Sequence, residues 1–296
     1  MIAPTGPGRP FALLFERDQE GDLPLPEPFR AIYGGDWRLP RGERRPYTFV
    51  NFATSHDGRI SFNVPGHRGA ADVSERNPHD RWLMGLLRAR ADAVMVGDGT
   101  LRASPSHVWT AEHIFPADAA AFAALRRAEG RERVPLLVIL SQTGELPGRA
   151  RVFRTGQRVL VATTTRGVKA ARAVARRGGV EVLAFGTATV QVRRLLAMLV
   201  RRFAVRTLLC EGGARTYGTL LRAGCVDDEF LTICPLIIGD GSRRRPRPSL
   251  VEGAGFLPGV APHLSLHSVR RAGDYLFLRS RVARAGRRRA AGEGGA

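Results

Sequence analysis

The sequence has 296 residues, 44% hydrophobic and 25% charged, with a mean hydropathy of −0.14 and a formal net charge of +19. That composition can bury a core, which excludes wholesale disorder and collagen-like repetition. No apolar run approaches the ~20 residues of a membrane helix, and the N-terminus lacks a charged stretch leading into a long apolar one, so a cytoplasmic protein with no membrane association is expected.

Residues 1–46 hold 8 of the 19 prolines and show no stable hydrophobic period. They read as a Pro/Gly-rich extended arm with one apolar element, Phe11 to Phe15, wrapping a main body. Residues 47–53 alternate in the manner of a strand, and Asp57-Gly58 offers a hairpin turn into 59–62. Asn77 or Ser74 is placed to cap a helix over 78–91, with Trp82, Leu83, Leu86 and Leu87 on one face. Strands are then expected at 92–97, 136–140, 158–162, 180–185, 206–210, 228–238 and 274–282. Helices are expected at 168–177, 192–203 and 214–223. The alternation predicts an α/β protein with a mainly parallel sheet covered on both faces, followed by a basic disordered tail over 283–296.

The basic charge is almost all arginine, with Lys169 the only lysine. The arginines are scattered, apart from 243–247 and 284–289, and no aromatics interleave with them as a stacking platform requires. Nucleic-acid binding is therefore not expected. Cys210, Cys225 and Cys234 lie in apolar runs without metal-ligand spacing, and read as buried thiols; no metal site is expected.

In an open α/β sheet, ligands bind beyond the carboxyl ends of the strands. Three loops stand there. Gly97-Asp98-Gly99-Thr100 has two glycines for close backbone approach and a hydroxyl. Glu211-Gly212-Gly213 opens a helix, so its amides and the helix dipole form a pyrophosphate cradle. Ser141-Gln142-Thr143 offers hydroxyls. Ser55-His56-Asp57 is not a hydrolase triad, because neighbouring side chains on a turn point apart.

Four segments carry a resemblance: NFATSHDGRI (51–60), LRARADAVMVGDGTLRA (87–103), CEGGARTYG (210–218) and DDEFLTICPLIIG (227–239). In this order and spacing they resemble the pyrimidine reductase family of riboflavin biosynthesis, over roughly residues 47–282. The resemblance implies a dihydrofolate-reductase-like three-layer αβα fold and a homodimer. It also implies NADPH-dependent reduction of a phosphoribosylamino-pyrimidine of the 5-amino-6-(5-phosphoribosylamino)uracil type, with hydride delivered to ribose C1′. By position it assigns Ala53, Thr100, Ser141 and the run Gly212, Gly213, Ala214, Arg215, Thr216, Tyr217, Gly218 and Thr219 to NADPH. Ser55, Arg88 and Glu211 fall to substrate, with Arg88 as a phosphate fork, and Asp57 to the catalytic edge.

The chain departs from the family pattern at His56, at His67-Arg68-Gly69-Ala70 and at Ala103-Ser104-Pro105-Ser106-His107, where an acidic pair and a following arginine are missing. It also lacks the zinc deaminase motif of the bifunctional members. A dihydrofolate-reductase-type or specialised-pathway reductase, a flavin-dependent reductase and a basic nucleotide- or nucleic-acid-binding protein are the alternatives.

Overall fold

The computed structural model describes residues 1–17, 21–175 and 179–283. In chain order the elements are β1 (Ala12–Glu16), α1 (Glu27–Tyr33), β2 (Tyr47–Ser55), α2 (Ala70–Val73), α3 (Pro78–Ala89), β3 (Ala93–Gly97), α4 (Asp98–Ala103), α5 (Ala111–Ile114), α6 (Ala119–Ala128), β4 (Leu136–Leu140), β5 (Val159–Thr163), α7 (Val168–Val174) and β6 (Val180–Ala184). There follow α8 (Val192–Phe203), β7 (Thr207–Cys210), α9 (Ala214–Arg222), β8 (Asp228–Cys234), the short ribbon β9 (Gly241–Ser242) and β10 (Arg245–Pro246), β11 (Leu264–Ala272) and β12 (Tyr275–Val282).

Ten strands form one sheet in the order β1-β11-β12-β8-β2-β7-β3-β4-β5-β6. From β8 to β6 all pairings are parallel, while β12, β11 and β1 add antiparallel. The expected mainly parallel α/β architecture is what forms. Its cause is visible in β3, which sends Val94 and Val96 into one core and Ala93 and Met95 into the other. A strand apolar on both faces is stable only between two helical layers. Helices α1, α3 and α6 supply one layer, and α8 and α9 the other. In α3 the Asn77 side chain accepts from His79 N at 2.9 Å and Asp80 N at 3.3 Å, with Pro78 at the first helical position, the pairing that favours helix initiation there. Among the described residues no helix is long and apolar enough to cross a membrane.

Several expectations are corrected. The segment 1–46 packs closely on the body and holds a helix, α1, that was not expected: β1 pairs with β11 at the sheet edge, and Phe29, Trp37 and Leu39 are fully buried. The Arg90 guanidinium stacks on the Trp37 ring at 4.8 Å and donates to Trp37 O, which ties this segment to the end of α3. Residues 59–62 form no strand; Arg59 makes one isolated bridge with Ser249, although the Asp57-Gly58 turn itself is present, with Gly58 at φ +80°. β8 ends at Cys234, not at 238, because Pro235 has no N–H for the ladder. The helix expected over 168–177 ends at Val174; residues 176 and 177, and the tail from 284 onward, lie outside the described residues.

Candidate active site

The parallel strands β2, β7, β3 and β4 bring their carboxyl ends to one edge, where the three candidate loops meet. The loop after β7 is packed onto β3: Glu211 N donates to Met95 O at 3.0 Å. Gly212 allows this, since a Cβ there would stand 2.6 Å from Gly97 N and 2.8 Å from Val96 Cα. Gly213 is different. A Cβ on it would meet only Thr100 Oγ1, at 3.4 Å, and one on Gly99 would meet nothing within 4 Å. Gly213 N donates to Thr100 Oγ1 at 2.8 Å, which joins the two glycine loops. The N–H groups of Thr216 and Tyr217 close the first turn of α9 on Gly213 O. The Ala214 and Arg215 amides begin α9, where N–H groups have no partner within the helix and the dipole is positive.

The rest of the run 212–219 does not share that opening. Thr216 is buried, its hydroxyl against Gly97. Tyr217 stacks on Phe52 with ring centroids 5.2 Å apart and donates to Glu229 Oε1 at 2.6 Å. Gly218 abuts the Glu252 carbonyl, and Thr219 donates back to Arg215 O. Tyr217 and Gly218 are packing residues, a correction to the cofactor assignment. Ser141 is corrected too: it is 2% exposed, donates to Asp98 Oδ2 at 2.9 Å and accepts from Gly144 N at 3.0 Å. A hydroxyl so committed beside a carboxylate is poorly placed for a phosphate.

Arg88, 1% exposed on α3, reaches the end of β7. Its Nε lies 3.0 and 3.1 Å from the two Glu211 oxygens and its Nη2 2.7 Å from Oε2. Nη1 donates to the carbonyls of Val108 and Thr110, and Nη2 also to His107 Nε2 at 3.0 Å. All five donors of the guanidinium are engaged, so Arg88 is not a free phosphate fork; its place is to hold Glu211. Because arginine only donates, His107 Nε2 is an acceptor and the ring is neutral. Burial, then the Arg88 charge, pull its pKa down to about 2. The unfolded chain takes up this proton below its ordinary pKa of 6.5, and the folded chain refuses it. His107 therefore costs nothing above pH 6.5, and below it removes up to about 1.4 kcal/mol of stability per pH unit. Thermal unfolding at pH 7 and pH 5 will show a steeper loss for the wild type than for His107→Gln, which can still accept from Arg88.

Ser55, 1% exposed, donates to Asp57 Oδ1 at 2.6 Å and accepts from Arg59 N. Asp57 also accepts from Ile238 N at 3.1 Å and Gly239 N at 2.8 Å. These donors, the Ser55 hydroxyl first, hold its carboxyl below the usual range. Asp57, expected at the catalytic edge, is an exposed carboxylate that clamps the loop 235–239 to the end of β2 through the three hydrogen bonds it accepts. Ser55 serves the same turn. Ala53, 6% exposed, packs with Val73, Cys234 and Ile238 under α2.

The sequence reading missed a polar group on this face. Asn51 sits mid-strand in β2, 7% exposed, and its Oδ1 is buried without a hydrogen-bond partner. Asp80, 4% exposed in the first turn of α3, accepts from Thr232 Oγ1 at 2.8 Å. The signal was present: an amide inside an apolar strand, and a carboxylate on the buried face of α3.

Residues 46–278 match the family model of the RibD C-terminal domain. The chain is 31% identical over 217 residues to the 2,5-diamino-6-ribosylamino-4(3H)-pyrimidinone 5′-phosphate reductase of Archaeoglobus fulgidus, covering 72% of this chain and 89% of that protein. Against the Aquifex aeolicus protein of the same name the identity is 30%, covering 72% of this chain and 85% of the relative. Among solved structures, a pyrimidine reductase-like protein of Corynebacterium diphtheriae has the same fold, with a TM-score of 0.62 at 23% identity over 81% of this chain and 92% of that one.

Proposed function

The chain belongs to the RibD C-terminal domain family, and from that membership and the site we propose that it is an NADPH-dependent reductase of a ribosylamino-pyrimidine 5′-phosphate in riboflavin biosynthesis. The observation that carries the cofactor reading is the contrast between two adjacent glycines. Gly212 is closed off by the backbone of β3, whereas the side of Gly213 is open except for Thr100 Oγ1. A cradle that a Cβ would narrow, at the N-terminus of a nine-residue helix, suits a pyrophosphate. Thr100, Gly213, Ala214 and the exposed Arg215 are the groups that would hold it. When bound, NADPH supplies the hydride that reduces ribose C1′ of the open-chain substrate.

The chain's own residues bind and orient. Arg88 fixes the Glu211 carboxylate at the end of β7, facing the substrate, and Asp57 holds the loop 235–239 over the end of β2. Fixing both partners in one geometry, away from water, converts an encounter into an oriented reaction. Exposed Ile237, Leu257, Val260 and Leu264 support a homodimer through the C-terminal region, and three free buried thiols support a cytoplasmic setting.

Calorimetric titration with NADPH and NADH tests the cofactor reading. Micromolar binding with preference for NADPH is expected, and Gly213→Val should weaken it at least tenfold while leaving the thermal midpoint within a few degrees. Equal NADPH affinity in that variant contradicts the cradle. Absence of binding by the wild type, with salt-sensitive DNA binding in its place, would favour the basic binding protein.

A further inference from the structure

Helix α9 presents its Gly213 end to the cofactor cradle, so whatever fixes α9 against the sheet fixes the cradle as well. Most of that contact is apolar: Ala214, Tyr217 and Leu220 pack into the core with Val50, Phe52 and Cys210. Apolar burial is non-directional, so it holds the helix down but does little to stop it sliding or turning on the sheet. The directional contacts are few. Thr219 donates within the helix, to Arg215 O, and Arg222 donates to Gly253 O in a loop. Among the described residues, one α9 side chain hydrogen-bonds to a strand of the sheet: Tyr217 donates to Glu229 Oε1 of β8 at 2.6 Å.

Glu229 has no other polar role there. It is 4% exposed and stands between Val50 of β2 and Ser280 of β12 in the register of the sheet. Side chains alternate along a strand, so its neighbour Asp228 faces the other way, where it meets Arg279 and Arg281. Burial pushes the Glu229 carboxyl above its usual range, and the Tyr217 hydrogen bond works against that. Burying a carboxyl group costs free energy that a leucine would not; what this one supplies is an acceptor for Tyr217. Tyr217 in turn is tied on two more sides. Its ring stacks on Phe52, and its backbone N–H donates to Gly213 O at 3.2 Å. One residue therefore closes the first turn of α9 and fastens that turn to β8. At 2% exposure it does so from behind the cradle.

We propose that Glu229, acting through Tyr217, is a positioning residue for the cofactor: it sets the placement of the α9 N-terminus, and so the aim of the Gly213 and Ala214 amides at the NADPH pyrophosphate. This rests on the cofactor reading above and adds to it a residue on β8, outside the glycine loops. A cradle of backbone amides is sensitive to small displacements, because hydrogen bonds weaken steeply as they bend. Losing the Tyr217–Glu229 bond should weaken NADPH binding about tenfold, the effect of roughly one hydrogen bond, and leave the affinity for the pyrimidine where it is.

The test reads the thermal midpoint, KM for NADPH, kcat, and the separate dissociation constants of NADPH and of 2,5-diamino-6-ribosylamino-4(3H)-pyrimidinone 5′-phosphate. Tyr217→Phe keeps the ring on Phe52 and removes the donor. It should lower the midpoint, because Glu229 is left buried without a partner, and raise the NADPH Kd about tenfold. Tyr217→Phe/Glu229→Leu removes both polar groups, so the midpoint should return toward that of the wild type while the NADPH Kd stays raised. In both variants KM for NADPH should rise with kcat little changed. Glu229→Gln keeps an acceptor for Tyr217 and should bind NADPH within about threefold of the wild type. NADPH affinity that recovers together with stability in the double variant, or NADPH and pyrimidine affinities that fall together, would show a role in stability alone and overturn the assignment. So would unchanged NADPH affinity in Tyr217→Phe, or a Glu229→Gln variant as weak as Tyr217→Phe. A folded wild type that binds no NADPH overturns the cofactor reading itself, a result distinct from these because it precedes any variant.

Discussion

Arg88→Met is expected to lower the unfolding free energy by about 3–5 kcal/mol, the cost of leaving one partner of a buried ion pair without the other. Methionine replaces the apolar stem of Arg88 but none of its donors. Glu211, with its side chain 5% exposed, then keeps a carboxylate in the protein interior unpaired, and the Val108 and Thr110 carbonyls lose their donor. The double variant Arg88→Met/Glu211→Leu separates the pair from its surroundings. Removing both charges should recover at least half of the loss, since apolar replacements of buried ion pairs are often neutral. Urea unfolding measures both. A loss below about 1 kcal/mol for the single variant would mean that water or a loop movement solvates Glu211, and that Arg88 is not what holds it.

The second large effect belongs to Gly212. In Gly212→Ala the new Cβ falls 2.6 Å from Gly97 N and 2.9 Å from the Val96 carbonyl carbon. Both obstacles are backbone of β3, so no side chain can turn aside; β3 and the loop after β7 have to separate. Overpacking of this kind costs about 3 kcal/mol. It also pulls Gly213 N from Thr100 Oγ1, so NADPH affinity should fall together with stability. At the neighbouring Gly213 the same change should cost affinity without comparable stability. Alanine at 212 with unchanged thermal midpoint and NADPH affinity would show that the close approach of the two loops is dispensable.

Most of the fold could be read from the chain because its strands are buried on both faces. The runs 93–97, 136–140 and 159–162 are apolar throughout, and only a doubly covered sheet makes sense of them. The α3 helix was equally legible, from Asn77, Pro78 and the spacing of Trp82, Leu83, Leu86 and Leu87. β11 was not, because Ser268 and Arg270 sit inside it as buried polar residues. Arg270 there donates to Ser268 and Glu16, a tertiary network with no local periodicity. Within the segment 1–46, α1 was hidden for a similar reason. α1 has only seven residues, with Pro26 as its N-cap and Pro28 in its first turn, and its stability comes from burying Phe29 and Tyr33 against the main body, a contact that local sequence does not encode.

The candidate site was legible in position more than in role. Glu211, Gly212, Gly213 and Thr100 come together as the loops suggested. Arg88, Asp57 and Ser141 stand at or beside that edge, but the hydrogen bonds of Arg88 and Ser141 are spent on neighbouring residues, and Asp57 also clamps a loop. Residue type and motif cannot reveal whether a donor is already taken; only the partners can. Asn51 was hidden by the opposite effect, since one polar residue does not break the pattern of an apolar strand.

The most direct test of the account is reduction itself. Purified protein, NADPH and 2,5-diamino-6-ribosylamino-4(3H)-pyrimidinone 5′-phosphate should give the ribitylamino product, with one NADPH oxidised per product formed. With NADPH deuterated at nicotinamide C4 on the transferred face, the label should appear at C1′ of the ribityl chain. No substrate-dependent oxidation of NADPH by folded protein that binds the pyrimidine, or product without label at C1′, would contradict it.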